Sequence, residues 1–120
     1  MRLRSGVDIE VSARFDRLLR TPAFVREIYT ENEQSYIQKS PHPAQTAAGL
    51  YCAKEAAAKA LGRGLFGLLP RELEIGHDEA GMPLLRLHGA AQARYGGVSF
   101  ALSISHSGDY AVAFCVATGE

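Results

Sequence analysis

No run of apolar residues in the 120-residue sequence approaches the roughly 20 that a membrane-crossing helix needs. Net charge is lacking too, since 13 basic residues are balanced by 13 acidic ones. Nothing global therefore draws the chain to nucleic acid or to an anionic lipid surface. Cysteine is scarce: Cys52 and Cys115 lie far apart, one in a predicted helix and one in a predicted strand, which suits reduced, buried small residues rather than a disulfide framework. The first eight residues carry basic side chains but no apolar run, so no secretion signal or lipidation motif is read and the expected location is the cytoplasm. Repeats, low-complexity tracts and linkers are absent as well. The residues present, 47% hydrophobic and 22% charged, make up the composition of a globular protein. The length suits a single domain over residues 1–120 that buries roughly two-thirds of its unfolded surface.

The order of elements comes from periodicity and punctuation. A short strand is predicted over Leu3 to Ile9, with Asp8 near its tip, and Ser12 is placed to cap the first helix. From Arg14 to Arg20, Phe15, Leu18 and Leu19 form an apolar stripe opposite Arg14, Arg17 and Arg20, an amphipathic helix. Pro22 suits the first position of a second helix with Phe24, Val25 and Ile28 behind it. Thr30 to Glu33 fits a capping box, so a third helix is expected over Glu31 to Gln38, stopped by the Ser40-Pro41-His42-Pro43 run. A long helix is predicted from about Ala44 to Leu61, in which Gly49 dissents at a cost of about 1 kcal/mol relative to Ala. The apolar stretch Leu65 to Pro70 has no clear period. Leu73 to His77 and Leu84 to His88 form a predicted hairpin, Gly89 to Tyr95 a short helix or loop, and Val98 to Ser105 with Tyr110 to Ala117 a second hairpin. The sum is an α+β fold, an antiparallel sheet packed against a long central helix and shorter helices.

The long helix carries the densest chemistry. Glu55 and Lys59, four residues apart, share one face with Tyr51 a turn earlier, while Lys54 points elsewhere. The Gly62-Arg63-Gly64 exit lets backbone come close to a ligand. A carboxylate and an ammonium stacked this way suit a metal-bound phosphate, although the stretch taken alone favours a solvent-facing ion pair worth a few tenths of a kcal/mol. Asp8 and Glu55 are oxygen ligands of the kind that hold magnesium through one or two carboxylates, waters and phosphates. His42, His77 and His88 lack zinc-ligand spacing with the cysteines. The Ser105-His106-Ser107-Gly108-Asp109 turn invites a hydrolase reading, but three residues within five positions rarely converge as nucleophile, base and orienter. Six arginines in the first quarter of the chain, Arg14 and Arg20 among them, form a local basic surface suited to an acidic protein partner.

Together these pieces resemble the bacterial holo-acyl-carrier-protein synthases, the small class of 4′-phosphopantetheinyl transferases, over nearly the full length. Gly6-Val7-Asp8-Ile9 followed by Arg14 is similar to the family's first motif, and Lys54-Glu55-Ala56-Ala57-Ala58-Lys59-Ala60 to its helix signature. Gly62 and Gly64, Gly81 and Pro83, and Ser103-Ile104-Ser105-His106-Ser107 resemble its later motifs. The resemblance implies transfer of 4′-phosphopantetheine from coenzyme A to a serine of an apo acyl carrier protein, with release of adenosine 3′,5′-bisphosphate. It implies Asp8 and Glu55 as magnesium ligands and, with Lys59, as the catalytic group, Lys59 meeting the leaving oxygen. The acceptor of the serine proton stays open between Glu55, Asp8 and a water at the metal. Lys54, Lys59, Gly64, Pro83, His106 and Ser107 are implied coenzyme contacts; Arg14, Arg20 and Phe24 fall where the family docks its carrier. A homotrimer with sites at subunit interfaces is implied by the same analogy.

Three positions depart from the family pattern. Leu50 stands where an arginine usually precedes the aromatic residue of the helix motif, Glu27 where a second arginine is common, and Met82 where a lysine is frequent. They leave a second reading, a catalytically weak carrier-binding paralogue of the same fold.

Overall fold

A computed structural model describes residues 2–63 and 67–119. Strand β1 (Arg4–Val11) is followed by three short helices, α1 (Arg14–Leu18), α2 (Pro22–Ile28) and α3 (Glu31–Lys39), and then by the long α4 (Pro43–Ala60). A 3₁₀ turn (Pro70–Glu72) leads into β2 (Leu73–His77) and β3 (Pro83–Leu87), then α5 (Gly89–Tyr95), β4 (Val98–Ser107) and β5 (Tyr110–Gly119). Pairing is antiparallel throughout. The expected α+β class holds, but the strands divide into two sheets, one of order β1-β5-β4 and one of β2-β3 alone.

Small side chains explain how the layers meet. On the central strand β5, Ala111, Ala113, Cys115 and Ala117 are buried on one face, and α4 turns Ala53, Ala56, Ala57 and Ala60 into the same core. Methyl groups opposite methyl groups let helix and sheet approach closely without voids. Both cysteines are buried and unpaired. Against the other end of α4, Phe15, Phe24, Tyr29 and Tyr51 form an aromatic cluster with ring centroids 5.6 to 6.3 Å apart.

Local signals fare unevenly. The Thr30 capping box forms as predicted, with Glu33 N–H donating to Thr30 Oγ1 at 3.2 Å and Thr30 N–H to Glu33 Oε1 at 2.9 Å. Ser12 does not cap α1; the N-cap is Ala13, without a side-chain bond. Asp8 is not at a strand tip either, because β1 runs on to Val11 in register with β5, and Asp8 sits opposite Ala113. The pairing partner, 105 residues downstream, is invisible to local periodicity.

Candidate active site

Alternation along β1 turns Gly6, Asp8 and Glu10 toward α4 and leaves Val7, Ile9 and Val11 exposed on the far face. Gly6 is where the two elements touch. A Cβ there would collide with the Ala56 carbonyl oxygen and lie 2.8 Å from Lys59 Cβ, so only glycine permits this approach. One residue pair further along β1, the contact delivers Asp8 to the Tyr51–Glu55–Lys59 stripe of the helix. Lys59 Nζ donates to the Val7 carbonyl at 2.9 Å and to Asp8 Oδ1 at 3.2 Å. Tyr51 donates its hydroxyl to Glu55 Oε2 at 3.2 Å. Asp8 Oδ2 is buried with no hydrogen-bond partner among the described residues.

Negative charge accumulates here. Burial pushes the Glu10 carboxyl up; Arg14 opposes the shift, and the neighbouring Asp8 and Glu55 carboxylates add to it. Burial likewise drives the Tyr51 phenol to about 12, with Glu55 contributing. Three carboxylates thus face two cations, Lys59 and Arg14, the latter ion-paired to Glu10. Among the described residues no three histidine, cysteine or acidic side chains form a metal cage. The donors that are present, all oxygens, with one buried lone-pair atom unmatched, fit magnesium, which takes one or two carboxylates and fills its shell with water and phosphate.

A second station lies toward the start of the same helix. A cavity of about 190 Å³ opens between Gly49 and Leu50 of α4, His77 and Pro83 of the β2–β3 hairpin, and Ile104 and His106 of β4. Gly49, unfavourable for the helix, has a reason: a Cβ would stand 2.9 Å from His106 Cε1 and 3.1 Å from Ile104 Cγ2. Tyr36 of α3 stacks on His77, centroids 4.3 Å apart and planes 14° from parallel. Burial lowers the pKa of both His77 and His106, so at neutral pH this wall is uncharged. Leu50, standing in place of an arginine, is 1% exposed.

The structure therefore gathers Asp8, Glu55 and Lys59 at one place, and Pro83 and His106 at another. Ser107 is exposed and alternates to the strand face opposite His106, away from that cavity wall. The same alternation separates Ser105 from His106 and removes the hydrolase constellation. Gly64 lies outside the described residues. Lys54 requires a correction: it is fully buried, bonded to Glu33 Oε1 at 2.9 Å and to the Pro70 and Leu73 carbonyls at 2.7 and 2.8 Å. Its three donors are spent in the core, so it does not reach a coenzyme. Tyr36 and Thr46, unremarked in the sequence, join the cavity wall, Thr46 from α4 one turn before Gly49 and Tyr36 because α3 packs beside α4. Arg14 and Arg20 are exposed on and after α1, while Phe24 is half-buried in the aromatic cluster beside Tyr51.

Comparison with known proteins matches residues 4–115 to the family model of the 4′-phosphopantetheinyl transferase superfamily. A holo-[acyl-carrier-protein] synthase of Caldanaerobacter subterraneus is 37% identical over 99% of this chain and 97% of its own. The chain belongs to the holo-acyl-carrier-protein synthases. A second member, from Herpetosiphon aurantiacus, is 46% identical over 80% of this chain and 81% of its own. The solved Chronobacterium ammoniagenes ACPS–CoA complex superimposes with a TM-score of 0.86 at 29% identity, covering 100% of this chain and 99% of that one. The synthase fold thus extends over both stations described above.

Proposed function

We propose that the protein transfers 4′-phosphopantetheine from coenzyme A to a serine of an apo acyl carrier protein, with magnesium, releasing adenosine 3′,5′-bisphosphate. The observation that carries the reading is the junction of Asp8 and Lys59, 3.2 Å apart, with Asp8 Oδ2 unsatisfied beside it. In the reaction the serine oxygen forms a bond to the pantetheine-bearing phosphorus, the bridging P–O bond breaks with its electron pair going to the bisphosphate leaving group, and the serine proton passes to Glu55, Asp8 or a water beside them. Negative charge grows on the leaving phosphate oxygen, so stabilising it is the main task. Lys59 uses two donors on Val7 and Asp8, leaving a third to face that oxygen. Asp8 and Glu55 would hold the magnesium, which when bound neutralises charge on the pyrophosphate. Pro83 and His106 would enclose the adenosine end, His106 as a neutral hydrogen-bonding partner at pH 7.

Glu55 is six residues beyond Gly49, about 9 Å along the axis and 240° around it. The two stations thus face different sides of α4, and one coenzyme molecule spans them most simply when the stations belong to neighbouring subunits. The exposed apolar face of the three-stranded sheet, with Val7, Ile9 and Phe114 each about half exposed, supports the homotrimer that this requires. The arginines beside the carboxylate station would receive the acidic carrier.

Mass spectrometry of apo carriers incubated with coenzyme A and magnesium tests the proposal. Loading is expected for the wild type and absent for Asp8→Ala and Glu55→Ala; unchanged loading by both folded variants would sink the metal assignment. Lys59→Met should lower kcat on the order of 100-fold, the scale of losing one donor to developing charge.

A further inference from the structure

The β2–β3 hairpin is not hydrogen-bonded to the larger sheet. The outer edge of β2 therefore presents the Leu73 carbonyl and the Ile75 N–H, which alternate to the same side, with no strand among the described residues to receive them. Two side chains from distant helices fill that place. Lys54 of α4 donates to the Leu73 carbonyl at 2.8 Å, and Glu33 of α3 accepts from the Ile75 N–H at 2.7 Å. Lys54 and Glu33 are themselves paired at 2.9 Å, and both side chains are 0% exposed. Between them Glu74 accepts from the Thr30 hydroxyl at 2.6 Å, so three consecutive residues of β2 are pinned to the helices. Unpaired backbone groups on a strand edge usually find another strand or a cover. Here an ion pair supplies both partners.

We propose that the Glu33–Lys54 pair is a joint that sets the hairpin against α4 and thereby positions the His77–Pro83 wall of the coenzyme cavity. Both residues are positioning residues. His77 is two residues beyond Ile75, and Pro83 pairs with His77 across the hairpin, so displacement at the joint is passed directly to the wall. Tyr36, on the same helix as Glu33, closes on His77 from the other side. The pair thus registers three elements, α3, α4 and the hairpin, that each contribute to one cavity. This inference rests on the proposed binding of coenzyme A there.

The test compares Lys54→Met, Glu33→Gln and the Lys54→Met/Glu33→Gln double variant with the wild type. Coenzyme A binding is measured by calorimetry, and steady-state loading is followed with each substrate varied. All three variants are expected to raise the Kd and KM for coenzyme A on the order of tenfold, with kcat at saturation and KM for the carrier near wild type. The double variant, which leaves no unpaired buried charge, keeps the question answerable should a single one fail to fold. Unchanged coenzyme affinity in the folded double variant would overturn the joint. So would a fall in kcat with unchanged Kd, which would place Lys54 at the phosphates, or an effect of Lys54→Met that Glu33→Gln does not share, which would trace it to the adjacent Glu55. A wild type that binds no coenzyme A would remove the functional reading itself, and the inference with it.

Discussion

Gly6 and Lys59 touch: a side chain on the one would occupy the space of the other's Cβ, at 2.8 Å. This contact brings Lys59 Nζ within 3.2 Å of Asp8, two residues further along β1. Gly6→Ala is therefore expected to force strand and helix apart, since the obstacle is backbone as well as side chain. Overpacking of this kind costs about 1–3 kcal/mol, and a shift of about 1 Å at the reacting groups costs up to about 100-fold in rate. Thermal denaturation and loading kinetics should show a folded, less stable protein whose rate falls further than its stability explains. Wild-type turnover in Gly6→Ala would mean that the close approach does not govern the site.

Acid stability reports on the hairpin's anchor. Burial alone would push the Glu74 carboxyl up, but hydrogen bonds from Thr30 and His88 prevail and hold it below its ordinary value of 4.5. A depressed folded pKa stabilises the protein above the unfolded pKa, and that contribution is lost as pH falls through the folded value. The stability advantage of wild type over Glu74→Gln should shrink as pH falls below about 4.5. Urea titrations at stepped pH give the curve directly. A difference that widened below about pH 4.5 would reverse the assignment.

How much of this is legible in the sequence depends on whether a feature is made by neighbours in the chain. The Thr30 capping box, the helix start at Pro22 and the shared face of Glu55 and Lys59 rest on spacings of three or four residues, and each forms as the local rules require. Asp8 differs: its meeting with Lys59 spans 51 residues, and only family likeness suggested it. Lys54 shows the limit of likeness. Its place in a helix motif implied a ligand contact, but the direction it points is filled by Glu33 and the edge of β2, which no spacing brings into view. Gly49 is a local fault whose reason, the imidazole of His106, lies 57 residues away.

The outer face of the larger sheet makes a separate prediction. Val7 lies opposite Phe114 and Ile9 opposite Val112, giving cross-strand apolar pairs that solvent reaches. Phe114→Arg places a charge in the middle of that face and should abolish association, read as monomer mass by analytical ultracentrifugation, while circular dichroism stays unchanged. Loading activity should be lost with it, because in the proposed homotrimer the two stations would no longer meet across subunits. An active monomer would show that one subunit holds the whole coenzyme.

Charge on the first helix should govern how fast the carrier arrives. Arg17 and Arg20 are exposed, and Arg14, itself ion-paired to Glu10, stands between them and the carboxylate station. Exposed charges act over about 8 Å at physiological ionic strength, so their effect falls mainly on encounter and is stronger at low salt. Arg20→Glu reverses the charge without entering the aromatic cluster. It should reduce the association rate for an acidic carrier about tenfold at low ionic strength and much less in about 0.5 M salt, with the dissociation rate nearly constant. Arg14→Glu should do more, since it also sets a new acid against Glu10 and the Asp8 carboxylate beside it. Stopped-flow association at several salt concentrations separates the two variants. Rates independent of salt would move the docking surface away from α1.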